Sequence, residues 1–185
     1  MTATAMEQLY QQVILDHAKD PCGYGLVPPH GDDARVGESH QVNTTCGDEL
    51  TLRVEIGPDR TGHDVLRSVS WEGQGCSISR ASVSVLSELV TDAPVAEAEK
   101  LGETFRELMR SRGVALDEAA QDALGDATAF TGVGKFPARI KCALLGWAAL
   151  RDAIVKAGVG GGVAGPDDGE LDDARPDTAG LKEDA

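Results

Sequence analysis

The stretch that decides the fold is residues 50–71, LTLRVEIGPDRTGHDVLRSVSW. Apolar and polar residues alternate over 50–56, which is the two-residue period of a strand with one buried face and one wetted face. Glycine, proline and aspartate cluster at 57–62 and indicate a turn, and the alternation resumes over 65–71. This stretch therefore predicts two neighbouring strands that pair antiparallel around a short connection.

Helical patterns lie on both sides of this hairpin. Apolar residues recur there at steps of three and four, which is typical of helices with one buried face. The predicted helices span residues 4–19, 77–90, 96–111, 116–125 and 137–156. A weaker pattern at 38–44 predicts a third strand. The predicted fold class is α+β, with a small antiparallel β-sheet of about three strands packed against several helices.

Composition limits the functions that the chain can have. It has 185 residues, with 17 Lys and Arg against 31 Asp and Glu, and a net charge of −14. Because a chain this acidic is repelled by phosphate, we expect it to bind neither nucleic acid nor anionic membrane surfaces. Aromatic residues make up only 4%, so we expect a core built mainly from Leu, Val, Ile and Ala.

The pattern also divides the chain. Residues 1–157 predict one domain, whereas residues 158–185 are rich in Gly and Asp and predict a disordered acidic tail. The chain shows neither a signal peptide pattern nor an apolar stretch of membrane-spanning length. We therefore expect a cytoplasmic protein. Thiols stay reduced in that compartment, which favours metal-binding or catalytic cysteines over disulfides.

Three of the four cysteines lie at the ends of predicted elements. Cys46 follows Asn-Thr-Thr between two strands, Cys76 directly precedes a helix, and Cys142 lies in the second turn of the last helix. Asp48 is close enough in sequence to Cys46 to reach the same point. Three thiolates and one carboxylate would suit tetrahedral zinc. The spacing alone leaves open that these cysteines are small buried apolar residues; Cys22, outside this pattern, is interpreted as incidental.

Three segments together carry a resemblance to a known family. They are TCGD at 45–48, GQGCSISRAS at 73–82 and FPARIKCA at 136–143. In these segments the chain closely resembles the IscU/NifU N-terminal family of iron–sulfur cluster assembly. The resemblance covers about residues 5–156 and implies an IscU/SufU-like fold.

Two features make the chain look like the SufU branch of that family. Lys141 stands where IscU-type scaffolds have a histidine directly before the last cysteine. The stretch at about 92–131 holds two predicted helices and looks like the helical insertion that distinguishes SufU from IscU. The predicted assignment is therefore a SufU-type protein.

The resemblance implies a zinc-dependent sulfurtransferase that acts with a SufS-type cysteine desulfurase. It places zinc on Cys46, Asp48, Cys76 and Cys142. It makes Cys46 the acceptor of persulfide sulfur, because a histidine of the desulfurase replaces Cys46 on zinc, and it assigns Arg139 to the interface. Pyridoxal phosphate belongs to the desulfurase, and the sulfur passes to downstream iron–sulfur assembly proteins.

Two alternatives remain at this point. In one, the same residues form a scaffold on which a transient iron–sulfur cluster is assembled and transferred, since thiolates are the usual cluster ligands. In the other, zinc only stabilises the fold of a binding module and takes part in no sulfur chemistry. His17, on the apolar face of the first predicted helix, is interpreted as a packing or capping residue.

Overall fold

Five α-helices, one 3₁₀ helix and three strands form the part of the chain that the computed structural model describes, residues 3–30 and 34–159. In chain order these are α1 (Ala3–Lys19), β1 (Arg35–Asn43), β2 (Asp48–Pro58), β3 (Asp64–Gln74), α2 (Ser77–Val90), α3 (Val95–Arg110), α4 (Glu118–Leu124), the 3₁₀ helix (Gly125–Lys135) and α5 (Pro137–Lys156). Within those described ranges, none of the helices has the length and apolar character that crossing a bilayer requires.

The three strands form one antiparallel sheet in the order β1-β2-β3. The predicted hairpin is present, and the predicted third strand is present and longer than expected. Leu50, Leu52, Val54 and Ile56 of β2 are all buried, as their alternation predicts. The predicted α+β class with a small antiparallel sheet covered by helices is confirmed.

The alternation predicted for the second strand of the hairpin is wrong at one point. Val54 pairs with Val69, but Ile56 pairs with Leu66, so β3 uses one residue more than β2 between these pairs. Arg67 is the extra residue of this β-bulge and is exposed. A bulge reverses the phase of the side chains, which is why Leu66 and Val69 both face the core.

An aromatic cluster joins the helices at the centre of the core. The ring of Phe105 on α3 stacks on Trp147 of α5 at a centroid distance of 4.7 Å and meets the edge of Phe130 at 5.7 Å. Phe105 and Phe130 are fully buried. Three of the seven aromatic residues of this chain therefore meet where α3, α5 and the 3₁₀ helix pack together.

Close backbone approaches fix α5 between the sheet and α2. A Cβ at Gly37 of β1 would lie 1.8 Å from Ala153 O, and a Cβ at Gly146 would lie 2.9 Å from Val83 Cβ of α2. Glycine is therefore required at both contacts. This packing brings the start of α2 and the start of α5 to the same end of the molecule as the β1–β2 connection.

Helices α3 and α4 follow the two helices predicted for the stretch at 92–131. The 3₁₀ helix that follows α4 was not expected, since glycines 132 and 134 predicted a loop there. That this stretch is an insertion relative to IscU stays a prediction, as does the domain boundary at 157. Of the acidic tail predicted over residues 158–185, all but the first two residues lie outside the residues that the structure describes.

Candidate metal centre

A tight connection between β1 and β2 presents the first cysteine. Asn43 and Asp48 pair at the ends of the two strands, and the N–H groups of Cys46 and Gly47 donate to Asn43 O at 3.3 and 2.8 Å. Gly47 has φ +75°, a left-handed conformation that glycine adopts without strain. The turn leaves Cys46 exposed at its tip.

Asp48 lies directly behind this turn and is 4% exposed. Its Oδ1 accepts a hydrogen bond from the N–H of Cys76 at 3.0 Å, which ties the turn to the start of α2. Its Oδ2 is buried and has no hydrogen-bond partner among the residues that the structure describes. A buried carboxylate oxygen without a partner is costly, so this atom is a candidate ligand for a cation.

Cys142 in the second turn of α5 is fully buried. Its Sγ lies 3.4 Å from Cys46 Sγ, and the Nδ2 of Asn43 donates to it at 3.7 Å. The Cys142 thiol lies 3.8 Å from Ala138 O, one turn earlier in the helix. The sequence reasoning assigned no role to Asn43; the only signal for it is its position three residues before Cys46.

The electrostatics of the centre favour a charged Asp48 carboxylate beside a neutral Cys142 thiol. Burial raises the pKa of the Cys142 thiol, and the neighbouring Cys46 and Asp48 raise it further. Burial also acts to raise the pKa of Asp48. The thiols of Cys46, Cys142 and Cys76 and the N–H of Cys76 outweigh it, so this pKa is lowered. A cation placed here would stabilise the thiolate form of the buried cysteine.

The structure brings three of the four predicted ligands into one group. One donor atom from each of Cys46, Asp48 and Cys142 lies within 4.8 Å of the other two. Cys76 is the N-cap residue of α2 and donates its N–H to Asp48. Its thiol also helps to lower the pKa of Asp48, although it does not lie within 4.8 Å of all three donor atoms. Arg139 is exposed in the first turn of α5.

This arrangement suits zinc by two criteria. Thiolate and carboxylate are both ligands that zinc accepts, and structural sites bind four of them in a tetrahedron. The unpartnered Asp48 Oδ2 lies in the same group as the thiols of Cys46 and Cys142. Cys76 is the fourth candidate because its main chain is already bonded to Asp48.

The sheet, the five α-helices and the thiol–carboxylate group define a small α+β protein with a candidate metal centre at one end. Residues 9–156 match the family described as NifU-like N terminal domain. The chain therefore belongs to the NifU-like N-terminal family, and the predicted family is confirmed.

Proteins similar to this chain are named either as a sulfurtransferase or as a cluster assembly scaffold. The zinc-dependent sulfurtransferase SufU of Bacillus subtilis (strain 168) is 36% identical over 151 residues, which cover 82% of this chain and 92% of that protein. The iron–sulfur cluster assembly scaffold protein IscU of Streptococcus pyogenes serotype M1 is 34% identical over 157 residues, with 85% and 89% covered.

A solved structure supports the fold. The crystal structure of a putative iron–sulfur cluster assembly scaffold protein for the SUF system from Fervidobacterium islandicum AW-1 is 31% identical, with a TM-score of 0.60. The match covers 80% of this chain and 98% of that one. The predicted IscU/SufU-like architecture is thus confirmed.

Proposed function

We propose that this protein is a zinc-dependent sulfurtransferase of iron–sulfur cluster assembly. It accepts persulfide sulfur from a SufS-type cysteine desulfurase and passes it to downstream assembly proteins. The observation that carries the proposal is the position of Cys46, an exposed thiol whose Sγ lies 3.4 Å from the buried thiol of Cys142. The 36% identity to a protein named zinc-dependent sulfurtransferase supports it.

The ligands in the proposal are Cys46, Asp48, Cys76 and Cys142. Bound zinc would supply the positive charge that keeps their thiols deprotonated at neutral pH. Asp48 and Cys142 are buried and held by hydrogen bonds, so they form the fixed side of the centre. Cys46 is exposed at the tip of a turn, so it is the member that can swing toward a partner protein.

The transfer step needs no oxidant or reductant. The Cys46 thiolate attacks the terminal sulfur of the persulfide on the partner's cysteine, and a new S–S bond forms on Cys46. The S–S bond of the partner breaks, and its cysteine leaves as a thiolate. The product is a persulfide on Cys46, with all atoms and electrons accounted for. Pyridoxal phosphate acts earlier, in the desulfurase.

Exposed residues around the centre fit a protein partner. Val42, the residue before Asn43, is 49% exposed, and Phe136, directly before α5, is 59% exposed. Arg139 is also exposed, one turn before Cys142. Exposed apolar residues with an adjacent arginine are typical of a docking surface. We assign this surface to the desulfurase and place the protein in the cytoplasm, where its four free cysteines stay reduced.

The test is alanine production by the cysteine desulfurase, measured with the zinc-loaded protein, free cysteine and a reductant. The expected result is a large stimulation that Cys46→Ala abolishes and that Thr44→Ser, a change in the same exposed loop, leaves intact. Peptide mapping during turnover should find the persulfide on Cys46 and not on Cys22, which is also exposed. Normal stimulation by Cys46→Ala would disprove the assigned acceptor.

A cluster scaffold is the second candidate function. It is favoured by the 34% and 33% identity to proteins named IscU scaffold from Streptococcus pyogenes and Thermotoga maritima. Anaerobic reconstitution with iron and sulfide tests it, followed by transfer to an apo-acceptor. A stable cluster spectrum with transfer would support the scaffold; their absence would leave the sulfurtransferase. A persulfide on Cys46 would exclude a purely structural zinc module.

A further inference from the structure

A second group of metal-type donors lies at the other end of α2. His17 comes from the last turn of α1, Cys22 from the connection that follows, and Glu88 from α2. One donor atom of each lies within 4.8 Å of the other two. The Cys22 thiol lies 3.7 Å from Glu88 Oε2, and His17 Nε2 lies 3.9 Å from the same oxygen.

A serine of α2 orients two members of this group. The Oγ of Ser84 accepts the N–H of Cys22 at 2.8 Å and lies 2.9 Å from His17 Nδ1. With the Nδ1 proton donated to Ser84, the lone pair of Nε2 faces the carboxylates. Ligand histidines in metalloproteins are held in this way, by a hydrogen bond from the ring nitrogen that does not bind the metal.

A fourth donor lies next to the histidine. Asp126, in the first turn of the 3₁₀ helix, places Oδ2 3.6 Å from His17 Nε2. The His17 side chain is only 13% exposed, while the carboxylates of Glu88 and Asp126 are 62% and 65% exposed. The group is therefore anchored on a largely buried imidazole and open to solvent on its carboxylate side.

We propose that His17, Cys22 and Glu88 form a second zinc site, with Asp126 as the fourth ligand. Zinc binds sulfur, imidazole nitrogen and carboxylate oxygen at about 2.0–2.3 Å, which puts the ligand atoms of a tetrahedral site about 3.3–3.8 Å apart. Three separations are close to these values: 3.7 Å for Cys22–Glu88, 3.9 Å for His17–Glu88 and 3.6 Å for His17–Asp126. Asp126 lies outside the group whose donor atoms are all within 4.8 Å of one another, so its exposed carboxylate must turn inward to complete the tetrahedron. This mixed donor set disfavours magnesium and calcium, which prefer oxygen ligands only.

The site has a structural role in this proposal. Its ligands come from the end of α1 and the segment after it, from α2 and from the 3₁₀ helix, so bound zinc would connect three regions that are distant in sequence. Four protein ligands leave no open position for chemistry. A metal that binds only the folded state raises the free energy of unfolding.

The first test is the number of zinc ions bound per chain, measured by competition with a chromophoric chelator. We expect Cys22→Ala to bind one zinc fewer than the wild type. Glu88→Gln should weaken one zinc by at least about tenfold. Glu99→Gln, which removes an exposed carboxylate from α3, should change nothing. Equal zinc content in the wild type and Cys22→Ala would overturn the proposal.

The second test reads the site itself. Alkylation of Cys22, followed by peptide mapping, should slow at least about tenfold when zinc is added to the metal-free protein, and Glu88→Gln should remove this protection. An alkylation rate of Cys22 that zinc leaves unchanged would overturn the proposal. Because both readouts concern Cys22, they stay valid whether or not Cys46 accepts sulfur.

Discussion

The Sγ atoms of Cys46 and Cys142 lie 3.4 Å apart, although the two residues are separated by 96 positions in the chain. The packing of α5 against β1 produces this contact, and Asn43 at the end of β1 touches both cysteines. Two thiols at this distance can share a metal, and without a metal they can also form a disulfide. The contact therefore makes the centre sensitive to oxidation.

Oxidation of the metal-free protein should join Cys46 to Cys142. A disulfide bond requires about 2.0 Å between the sulfurs, so only a small movement of the exposed turn is needed. We expect diamide to produce this one disulfide and bound zinc to prevent it, with mass spectrometry of unreduced peptides as the measurement. A main product that contains Cys22 would show that the contact is absent in solution.

Asp48→Asn should weaken zinc binding at the candidate metal centre of Cys46, Asp48 and Cys142 by at least about tenfold. The amide oxygen can still accept the N–H of Cys76, so the fold should be retained, but the unpartnered anionic oxygen is lost. Competition with a chelator measures the affinity. Asp122→Asn, at an exposed position of α4, is the matched control, and equal affinities in the two variants would contradict the role of Asp48.

Gly75→Ala should disturb the same centre sterically. A Cβ at this position would lie 2.5 Å from Ser79 Oγ and 2.9 Å from Asp48 Cγ, so the carboxylate would have to move. We expect weaker zinc binding, seen in the chelator titration, together with loss of the stimulation of the desulfurase. Gly132→Ala meets no atom within 4 Å and should behave like the wild type. A Gly75→Ala protein with full zinc affinity would contradict this geometry.

His30 should contribute to stability at neutral pH and less in acid. The carboxylate of Glu55 is buried, and burial alone would raise its pKa. The hydrogen bond with the His30 side chain, at 3.0 Å, has the larger effect and lowers the pKa of Glu55. A carboxyl group whose pKa is lower in the folded state stabilises the fold at pH values above its pKa in the unfolded state, which is about 4.3 for glutamate. That contribution to stability is lost as the pH falls through the pKa of Glu55 in the folded state.

The variant His30→Ala should therefore lower the free energy of unfolding by about 1 kcal/mol at pH 7, as expected for one hydrogen bond. The difference from the wild type should shrink as the pH falls below the unfolded pKa and through the lowered folded pKa of Glu55, because the carboxylate then takes up a proton. Urea denaturation across this pH range measures it. His40→Ala, which removes an exposed histidine bonded to Thr51, is the control; a pH-independent difference for His30→Ala would refute the assignment.

Phe105→Ala should destabilise the fold by about 3–5 kcal/mol, because it empties the centre of the aromatic cluster. Its ring stacks on Trp147 and contacts Phe130, and it is fully buried. Chemical denaturation measures the loss. Val114→Ala removes apolar atoms from a residue that is 66% exposed and should change stability by less than about 0.5 kcal/mol. Similar losses in the two variants would contradict the central position of Phe105.

The sequence predicts the parts of this fold that depend on local periodicity. The alternation over 50–56 and the three-to-four spacing in the helices identify most elements, because each has one clearly buried face. The bulge at Arg67 was not predictable, since its cause is the pairing with β2 rather than the strand's own residues. The 3₁₀ helix was missed because its glycines also suit a loop.

The same distinction holds for the candidate site. Cys46 and Asp48 are two residues apart, so their proximity follows from the sequence. The approach of Cys142 depends on how α5 packs on β1, and only the resemblance to a family indicated it. The contact of Asn43 with Cys142 and the group around Cys22 depend on tertiary packing between distant elements, which spacing in one sequence does not reveal.

Helix α2 separates the candidate metal centre of Cys46, Asp48 and Cys142 from the group of His17, Cys22 and Glu88. Cys76 is its N-cap, and Glu88, which contacts Cys22, comes twelve residues later. At about 1.5 Å per residue, this separation is about 18 Å, whereas a disulfide needs Cα atoms within about 7 Å. Cys22 therefore cannot act as a resolving thiol for Cys46 within one folded molecule, whereas Cys142, whose Sγ lies 3.4 Å from that of Cys46, is placed to do so.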